Sequence, residues 1–288
     1  MSARFTLPSD QRVARSIVVN LEEGAEQNVA AGDKHPDPVD ELGIALRIPV
    51  RNLANESNYQ YGIRAGAERV FRVLAQHGVS CTVTAASAAL ALAPKVAGMI
   101  VAGGHEVCAH GYRWVHQFSF DEERERAFIR KAVETQTAAV GTRPCGWLSR
   151  YLFTERTRRL LVEEGFLYHM DDYSDDVPRW EQVETAGGCR RIVVVPYALD
   201  TNDMKFWLAP GYTPAQWLDY AVATFDQLYA EGADRPAIMS LGVHLRIIGR
   251  PGRIGAFDRF LQHALSHKAI WTTSRLAIAQ RFADLNPD

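Results

Sequence analysis

Short apolar runs alternate with longer amphipathic segments along the chain, and the alternation predicts an order of elements. Ser16-Ile17-Val18-Val19-Asn20-Leu21 reads as a buried β-strand, followed at once by Glu22-Glu23-Gly24. From Gly24 to about Tyr61 the chain is rich in Pro, Asp and Asn and reads as irregular. A loop this long in a compact chain is usually functional or an assembly element. A helix is predicted over 63–77, with Val70, Phe71 and Leu74 at helical spacing and Gly78 as its stop. Val79 to Val83 reads as a strand. The Ala-rich helix from Ala85 breaks at Pro94, where a second short helix starts with proline in its first turn.

Glu106-Val107-Cys108 reads as a strand running into His110-Gly111-Tyr112-Arg113-Trp114. Ser119-Phe120-Asp121-Glu122 reads as a capping box that opens a helix to about Val140. Further strands are predicted over 146–148, 166–170, 191–195, 237–241 and 270–272. Helices are predicted over 154–164, 214–230 and 254–266, with a last one from Ser274. This alternation predicts an α/β fold, a parallel sheet with crossover helices. About seven such units fit a distorted (β/α) barrel. No repeat, linker or low-complexity segment interrupts the 288 residues, so residues 1–288 are expected to form a single domain.

Bulk composition narrows the function classes. With 47% hydrophobic and 23% charged residues the profile is globular. The net charge of −2 and the lack of a basic block argue against nucleic acid as a partner. No apolar run approaches the ~18 residues of a membrane span. Met1 to Pro8 lacks the apolar core of a secretory leader. Cys81, Cys108, Cys145 and Cys189 are scattered without CxxC spacing, which fits a reduced cytoplasmic compartment. Cys81 and Cys108 fall in predicted strands and read as small core residues.

The chemistry lies at the strand ends. Two adjacent acids at a core boundary repel each other and resist desolvation. In barrels and open α/β sheets, the C-terminal strand ends are where active sites are built. Successive strands here deliver Glu22 and Glu23; His110, Tyr112, Arg113 and Trp114; Trp147 and Arg150; and Asp171, Asp172, Asp175 and Asp176. Later strands deliver Tyr197, Asp200, Asn202 and Asp203, then His244, Arg246 and Arg250. Converging on one mouth, these residues make a functional site.

This ordered series resembles the polysaccharide deacetylase superfamily, carbohydrate esterase family 4, over nearly the whole chain. Glu22-Glu23-Gly24 stands in the slot of the family's Asp-Asp-Gly motif. His110 matches the first histidine of its His-Ser/Thr-x-x-His motif, but the second position holds Trp114. The family's arginine follows an aromatic residue; here Trp147 precedes Leu148 and the arginine comes at Arg150. His244 fits the late-strand histidine. Glu22 to Glu26, His110 to Trp114, Asp175 to Trp180, Leu199 to Met204 and His244 to Pro251 together resemble the allantoinase-type branch, close to cyclic imidases.

The resemblance implies a hydrolase that opens a small cyclic amide, an allantoin-like ureide or a cyclic imide, working as a homotetramer. It implies Glu22 as general base, its pKa raised by the neighbouring acid and by burial. It implies His244 as general acid, with an ordinary pKa near 6.5. Glu23 takes the place of the family's metal-ligating aspartate and His110 that of its first ligand histidine. A catalytic zinc ordinarily takes three protein ligands, and Trp114 cannot be one. No cofactor is therefore expected; a loosely bound zinc would fall on Glu23 and His110, with His116 as a substitute ligand. Without a metal, Glu23 and His110 would orient water or the amide. Trp114, Trp147, Arg150, Asp175, Asp200, Asn202, Asp203 and Arg250 are the expected substrate positions. Arg246, Arg250 and Arg253 are expected either to clamp a carbonyl or to pair with Asp171 to Asp176. The long 24–61 loop is expected to close over the site. Two other readings stay open: a metal-dependent N-deacetylase of an amino sugar or its polymer, and an inactive relative that only binds a small ligand.

Overall fold

The first strand, β1 (Val13–Leu21), is buried along all 9 residues in the computed structural model of the chain. Both of its faces are covered, which is why six of the nine residues are apolar, with Arg15, Ser16 and Asn20 buried among them. The structure describes residues 5–208 and 210–287; the first four residues of the stretch read for a leader lie outside them.

After β1 come α1 (Leu53–Tyr61), α2 (Ala67–Gln76), β2 (Thr82–Ala85), α3 (Ser87–Leu92), α4 (Pro94–Ala102) and β3 (Glu106–Ala109). Then follow α5 (Glu122–Val140), β4 (Gly146–Trp147), α6 (Thr157–Glu163), β5 (Tyr168–His169), β6 (Arg179–Thr185) and β7 (Gly188–Val194). The chain closes with α7 (Pro214–Glu231), β8 (Ala237–His244), α8 (Leu245–Ile248), α9 (Pro251–Ser266), β9 (Ile270–Thr272) and α10 (Arg275–Leu285).

The strands lie in the order β6-β7-β5-β4-β3-β2-β1-β8, and β9 pairs with β1. β1 pairs with β9 through Val13 to Arg15 and with β2 through Val18 to Leu21. All pairings are parallel except the β6–β7 hairpin. The path does not join β8 to β7, so the barrel is distorted and open on that side. Loop backbone fills part of the gap: the Ile238 N–H donates to the Asp176 carbonyl at 2.8 Å.

Three elements depart from the sequence expectation. Residues 24–61 are not irregular throughout, because α1 begins at Leu53 and runs through a π-helical turn, Gly62–Gly66, into α2. The two glycines of that turn permit close approach. A Cβ at Gly66 would lie 2.0 Å from the Leu245 carbonyl oxygen, and one at Gly62 would lie 2.3 Å from Glu23 Oε1. The strand expected at 191–195 is one arm of the hairpin whose other arm, β6, is mostly exposed or half-buried. Helix α5 is capped by Asp121, whose side chain accepts from the Arg124 N–H at 2.8 Å, and not by Ser119. No helix among the described residues is long and apolar enough to cross a membrane.

Candidate active site

At the C-terminal end of β1 the chain must place two carboxylates in a dry environment. Glu22 and Glu23 are 1% and 0% exposed, so each needs a partner. The structure sends them in different directions. Glu22 faces a narrow pocket of about 50 Å³, lined also by His110, Trp114, Arg150, Tyr197, Asn202 and His244. Glu23 turns beneath it and accepts from the Glu22 N–H at 2.9 Å and the Arg246 N–H at 3.2 Å. Glu23 thus pins the start of α8 to the end of β1. Burial, with Glu22 beside it, raises its pKa although Arg246 opposes this.

Glu22 Oε1 lies 3.4 Å from His110 Nε2 and 3.4 Å from His244 Nε2. Its Oε2 is 2.7 Å from the Arg246 guanidinium. Arg246 is fully buried, with Tyr59, Trp207 and Trp114 rings 4.2, 5.3 and 5.5 Å from its Cζ. Such an aromatic enclosure suits a guanidinium. Burial alone would raise the Glu22 pKa, but the Arg246 and His244 charges outweigh it and hold Glu22 well below the ordinary carboxylate range. The neighbouring acid therefore does not raise Glu22 as the sequence suggested, because two cations sit closer to the question than Glu23 does.

His244 ends β8 and is held from behind. Its Nδ1 lies 2.6 Å from Asp203 Oδ1, while Asp203 Oδ2 accepts from the His244 and Ile248 N–H groups at 2.8 and 3.1 Å. Burial disfavours the imidazolium, yet Glu22 and Asp203 reverse this and raise the His244 pKa to about 9. His244 is then protonated at neutral pH.

His110 follows β3. Its Nδ1 lies 2.7 Å from the Leu148 carbonyl oxygen, and Trp114 Nε1–H donates to its Nε2 at 3.0 Å. A carbonyl only accepts and an indole N–H only donates. His110 thus carries its proton on Nδ1, and its Nε2 lone pair is taken by Trp114. The family's metal does not fit this donor set. Glu23 points out of the pocket, His110 Nε2 is already an acceptor, and position 114 is an indole. His116 does not substitute, since it lines a different surface cleft from the one that holds Glu22, His110 and His244.

The long loop closes the pocket, with Val39 in its lining. Asp37 meets Arg150 in a buried two-pronged ion pair, 2.5 and 2.8 Å. Arg150 also donates to the Trp114 carbonyl at 2.8 Å and stacks 3.6 Å over its ring. Asn55 Nδ2 reaches the Asp37 and Val39 carbonyls at 3.4 and 3.3 Å. Arg150 lines the pocket, but much of its fork is spent on this clamp.

Other expected substrate positions lie elsewhere. Trp147 is fully buried in the core and donates to Ser149 Oγ at 2.9 Å. Asp175 and Asp200 line a neighbouring cleft of about 370 Å³, which shares Tyr173 and Tyr197 with the pocket but holds no histidine. Arg250 stacks on Tyr61 at 3.6 Å and bonds Asn58. Asp203 stands behind His244 and Asn202 lines the pocket. The arginines after β8 do not pair with Asp171 to Asp176: Arg246 meets Glu22, and Arg253 meets Glu41 at 2.5 Å.

Sequence reasoning does not single out Asp37 or Tyr59, and it places Tyr197 among the strand-end residues without giving it a role. Tyr197 Oη accepts from Asn20 and Asn202 amides at 3.4 and 2.9 Å, which leaves its own proton for a third group. Gly242 makes room for it, since a Cβ there would lie 2.1 Å from Tyr197 Oη.

The comparisons agree with this architecture. The polysaccharide deacetylase family profile matches residues 57–166. A Schizosaccharomyces pombe protein named as a polysaccharide deacetylase is 31% identical over 97% of this chain and 93% of its own length. A Pseudomonas aeruginosa PAO1 structure named as a polysaccharide deacetylase is 41% identical, with TM-score 0.92 over 98% of this chain and 94% of that one. The PuuE allantoinase structure is 40% identical, with TM-score 0.93 over 98% and 94% of the two chains. The chain belongs to the polysaccharide deacetylase superfamily, within its allantoinase-type branch, and is a hydrolase of C–N bonds.

Proposed function

We propose that the protein opens the ring of a small cyclic amide, an allantoin-like ureide or a cyclic imide, by adding water across its C–N bond. The observation that carries this reading is Glu22 Oε1 standing 3.4 Å from both His110 Nε2 and His244 Nε2, with Asp203 behind His244. The narrow pocket, roofed by the loop that Asp37 anchors, favours a small ring over a sugar polymer. PuuE allantoinase, similar over nearly the whole chain, supports the same class.

In this mechanism Glu22 takes a proton from water while the water oxygen bonds to the substrate carbonyl carbon. The Tyr197 hydroxyl donates to the oxygen that becomes negative. His244 gives its Nε2 proton to the ring nitrogen as the C–N bond breaks. Loss of the His244 charge raises the Glu22 pKa, so Glu22 keeps the water proton until the C–N bond has broken. Glu22 then returns the proton to His244 across their 3.4 Å contact, and the site is reset.

Metal-stripped protein is expected to turn over at least one of allantoin, hydantoin and succinimide, and Glu22→Gln to abolish this while still binding the ring. Release of acetate from N-acetylglucosamine oligomers only after zinc is added, with no ring compound consumed, would overturn the proposal. We also infer a homotetramer, because Leu42, Ile44, Ile48, Val50 and Leu53 expose apolar surface on the long loop and the start of α1. Light scattering reads this directly, and a fully active monomer refutes it. Four unpaired cysteines support a cytoplasmic location; targeting of a tagged chain to another compartment would contradict it.

A further inference from the structure

A second group of ligand-type side chains lies at the other end of the sheet. α7 leads into β8 and α9 leads into β9, so the C-terminal ends of both helices sit at the N-terminal ends of these strands. The 8-residue β8 separates them from His244 by roughly 25 Å. Here Asp226 from α7 meets His263, in the last turn of α9, and His267, the extended residue that caps the end of that helix.

We propose that Asp226, His263 and His267 form a binding site for a divalent transition metal, zinc being the natural occupant. His263 Nε2 lies 2.6 Å and His267 Nε2 3.9 Å from Asp226 Oδ1, and all three ligand atoms fall within 4.8 Å of one another. Zinc bonds of about 2.0–2.2 Å place tetrahedral donors roughly 3.3 Å apart, so changes of up to about 1.5 Å in the donor separations assemble the site. The metal displaces the proton now shared between His263 and Asp226.

The ring orientations suit this chemistry. His267 Nδ1 faces the His263 carbonyl oxygen at 3.0 Å, and a carbonyl only accepts. The neutral ring therefore carries its proton on Nδ1 and turns an Nε2 lone pair toward a carboxylate. A cation placed there would bridge the His267 Nε2 and the Asp226 oxygen, which stand 3.9 Å apart. The backbone carbonyl fixes the tautomer as outer-shell partners of metal histidines do. Phe225 and Tyr229 set their rings edge-on against His267, with centroids at 5.2 and 5.0 Å, and Phe225 also meets His263 at 5.8 Å. These contacts restrict both imidazoles before any metal arrives. The C-terminal end of α9 adds the negative pole of the helix.

Exposures of 47%, 31% and 27% for Asp226, His263 and His267 leave the outer coordination positions to water. Two imidazoles and a carboxylate select copper(II), zinc(II) and nickel(II) over magnesium and calcium. The metal clips α7 to α9 and takes no part in the reaction. Zinc content and turnover are consequently independent in this protein.

The test is titration of the chelator-stripped full chain with zinc chloride against a chromophoric chelator. One zinc per chain is expected at micromolar affinity, with a melting point about 5 °C higher at 100-fold excess over Kd. His263→Gln, His267→Gln and Asp226→Asn should each weaken zinc at least tenfold. In the unaltered chain, zinc should shift the imidazole 15N resonances of His263 and His267 and leave those of His110 and His244 in place. That measurement decides the matter even if a variant fails to fold. No zinc bound at 100 µM, wild-type affinity in the folded double variant His263→Gln/His267→Gln, or shifts confined to His110 and His244 would each overturn the proposal.

Discussion

Replacing Asp203 by Asn keeps the side-chain shape and removes the charge that holds the His244 proton. Burial works against the imidazolium, yet Glu22 at 3.4 Å and Asp203 at 2.6 Å raise its pKa from 6.5 to about 9. Two to three units correspond to about 3–4 kcal/mol in favour of the protonated form. Loss of an opposite charge within a few ångströms typically costs about 1–3 of those units. The alkaline limb of the ring-opening rate, near pH 9 in the parent, should therefore fall to about pH 6–8 in Asp203→Asn. Above that limb the rate should drop by roughly 10²–10⁴, the usual worth of a general acid. The same shift appears in stability. The folded His244 pKa lies above its unfolded value, so its contribution is full below about pH 6.5 and is lost as pH rises through about 9. Urea unfolding near pH 6 and near pH 9 should show the parent losing about 3 kcal/mol between them, and the variant losing less. The assays are kcat/KM from about pH 5 to 10 and the His244 ring titration followed by NMR. An alkaline limb that stays near pH 9 in a folded Asp203→Asn protein would refute this assignment of charge.

Three further outcomes are expected. Arg246→Met leaves Glu22 and Glu23 buried without their cation, which should cost about 3–5 kcal/mol at neutral pH. Without Arg246 both carboxylates titrate higher in the folded state, so the deficit should shrink as pH falls toward about 4; urea midpoints read at both pH values check the sign. Tyr197→Phe should lower kcat by about 10²-fold with KM little changed, as for an oxyanion donor; steady-state kinetics decide, and an unchanged kcat removes the role. Gly66→Ala drives a Cβ to 2.0 Å from the Leu245 carbonyl oxygen, so α2 must move off α8 at a cost of about 1–3 kcal/mol or more. Thermal melting measures that cost.

Glu22, His110 and His244 were legible because each ends a strand whose apolar run is plain in the sequence. The succession of strands along the chain, β6 apart, followed from similar runs. Arg246 was read only as one of three arginines after β8. Its pairing with Glu22 spans 224 positions and depends on a four-residue helix, α8, that turns the chain back over the pocket. Asp37 was invisible for a related reason: its partner, Arg150, lies 113 residues away, and nothing local distinguishes Asp37 from the other acids of the loop. Helix α1 escaped notice because it buries only Asn55 and Tyr59, too few positions to set a period. The β6 arm was hidden because only Val183 of its seven residues is fully buried. Trp147 misled in the opposite way. A large aromatic at a strand end can line a pocket or fill the core, and here rings from Phe128 and Phe166 pack around it at 6.4 and 5.6 Å.

The change from histidine to tryptophan at position 114 makes physical sense only together with Arg246 and His244. A divalent ion in a hydrolase supplies positive charge beside the reacting carbonyl. In this chain Trp114 occupies the His110 lone pair that such an ion would need. The longer side chain of Glu22, one methylene beyond an aspartate, brings its carboxylate between the two histidines. Two units of positive charge remain beside it, one fixed on Arg246 and one carried as a proton on His244. A fixed cation can hold Glu22 ionised but cannot be transferred. A proton can be transferred, and the leaving nitrogen of a cyclic amide is the group that needs it. Dividing the charge in this way favours protonating a poor leaving group over polarising a carbonyl. It also ties the rate to the ionisation of one histidine, which is why the alkaline limb of Asp203→Asn is the measurement that bears most directly on the site.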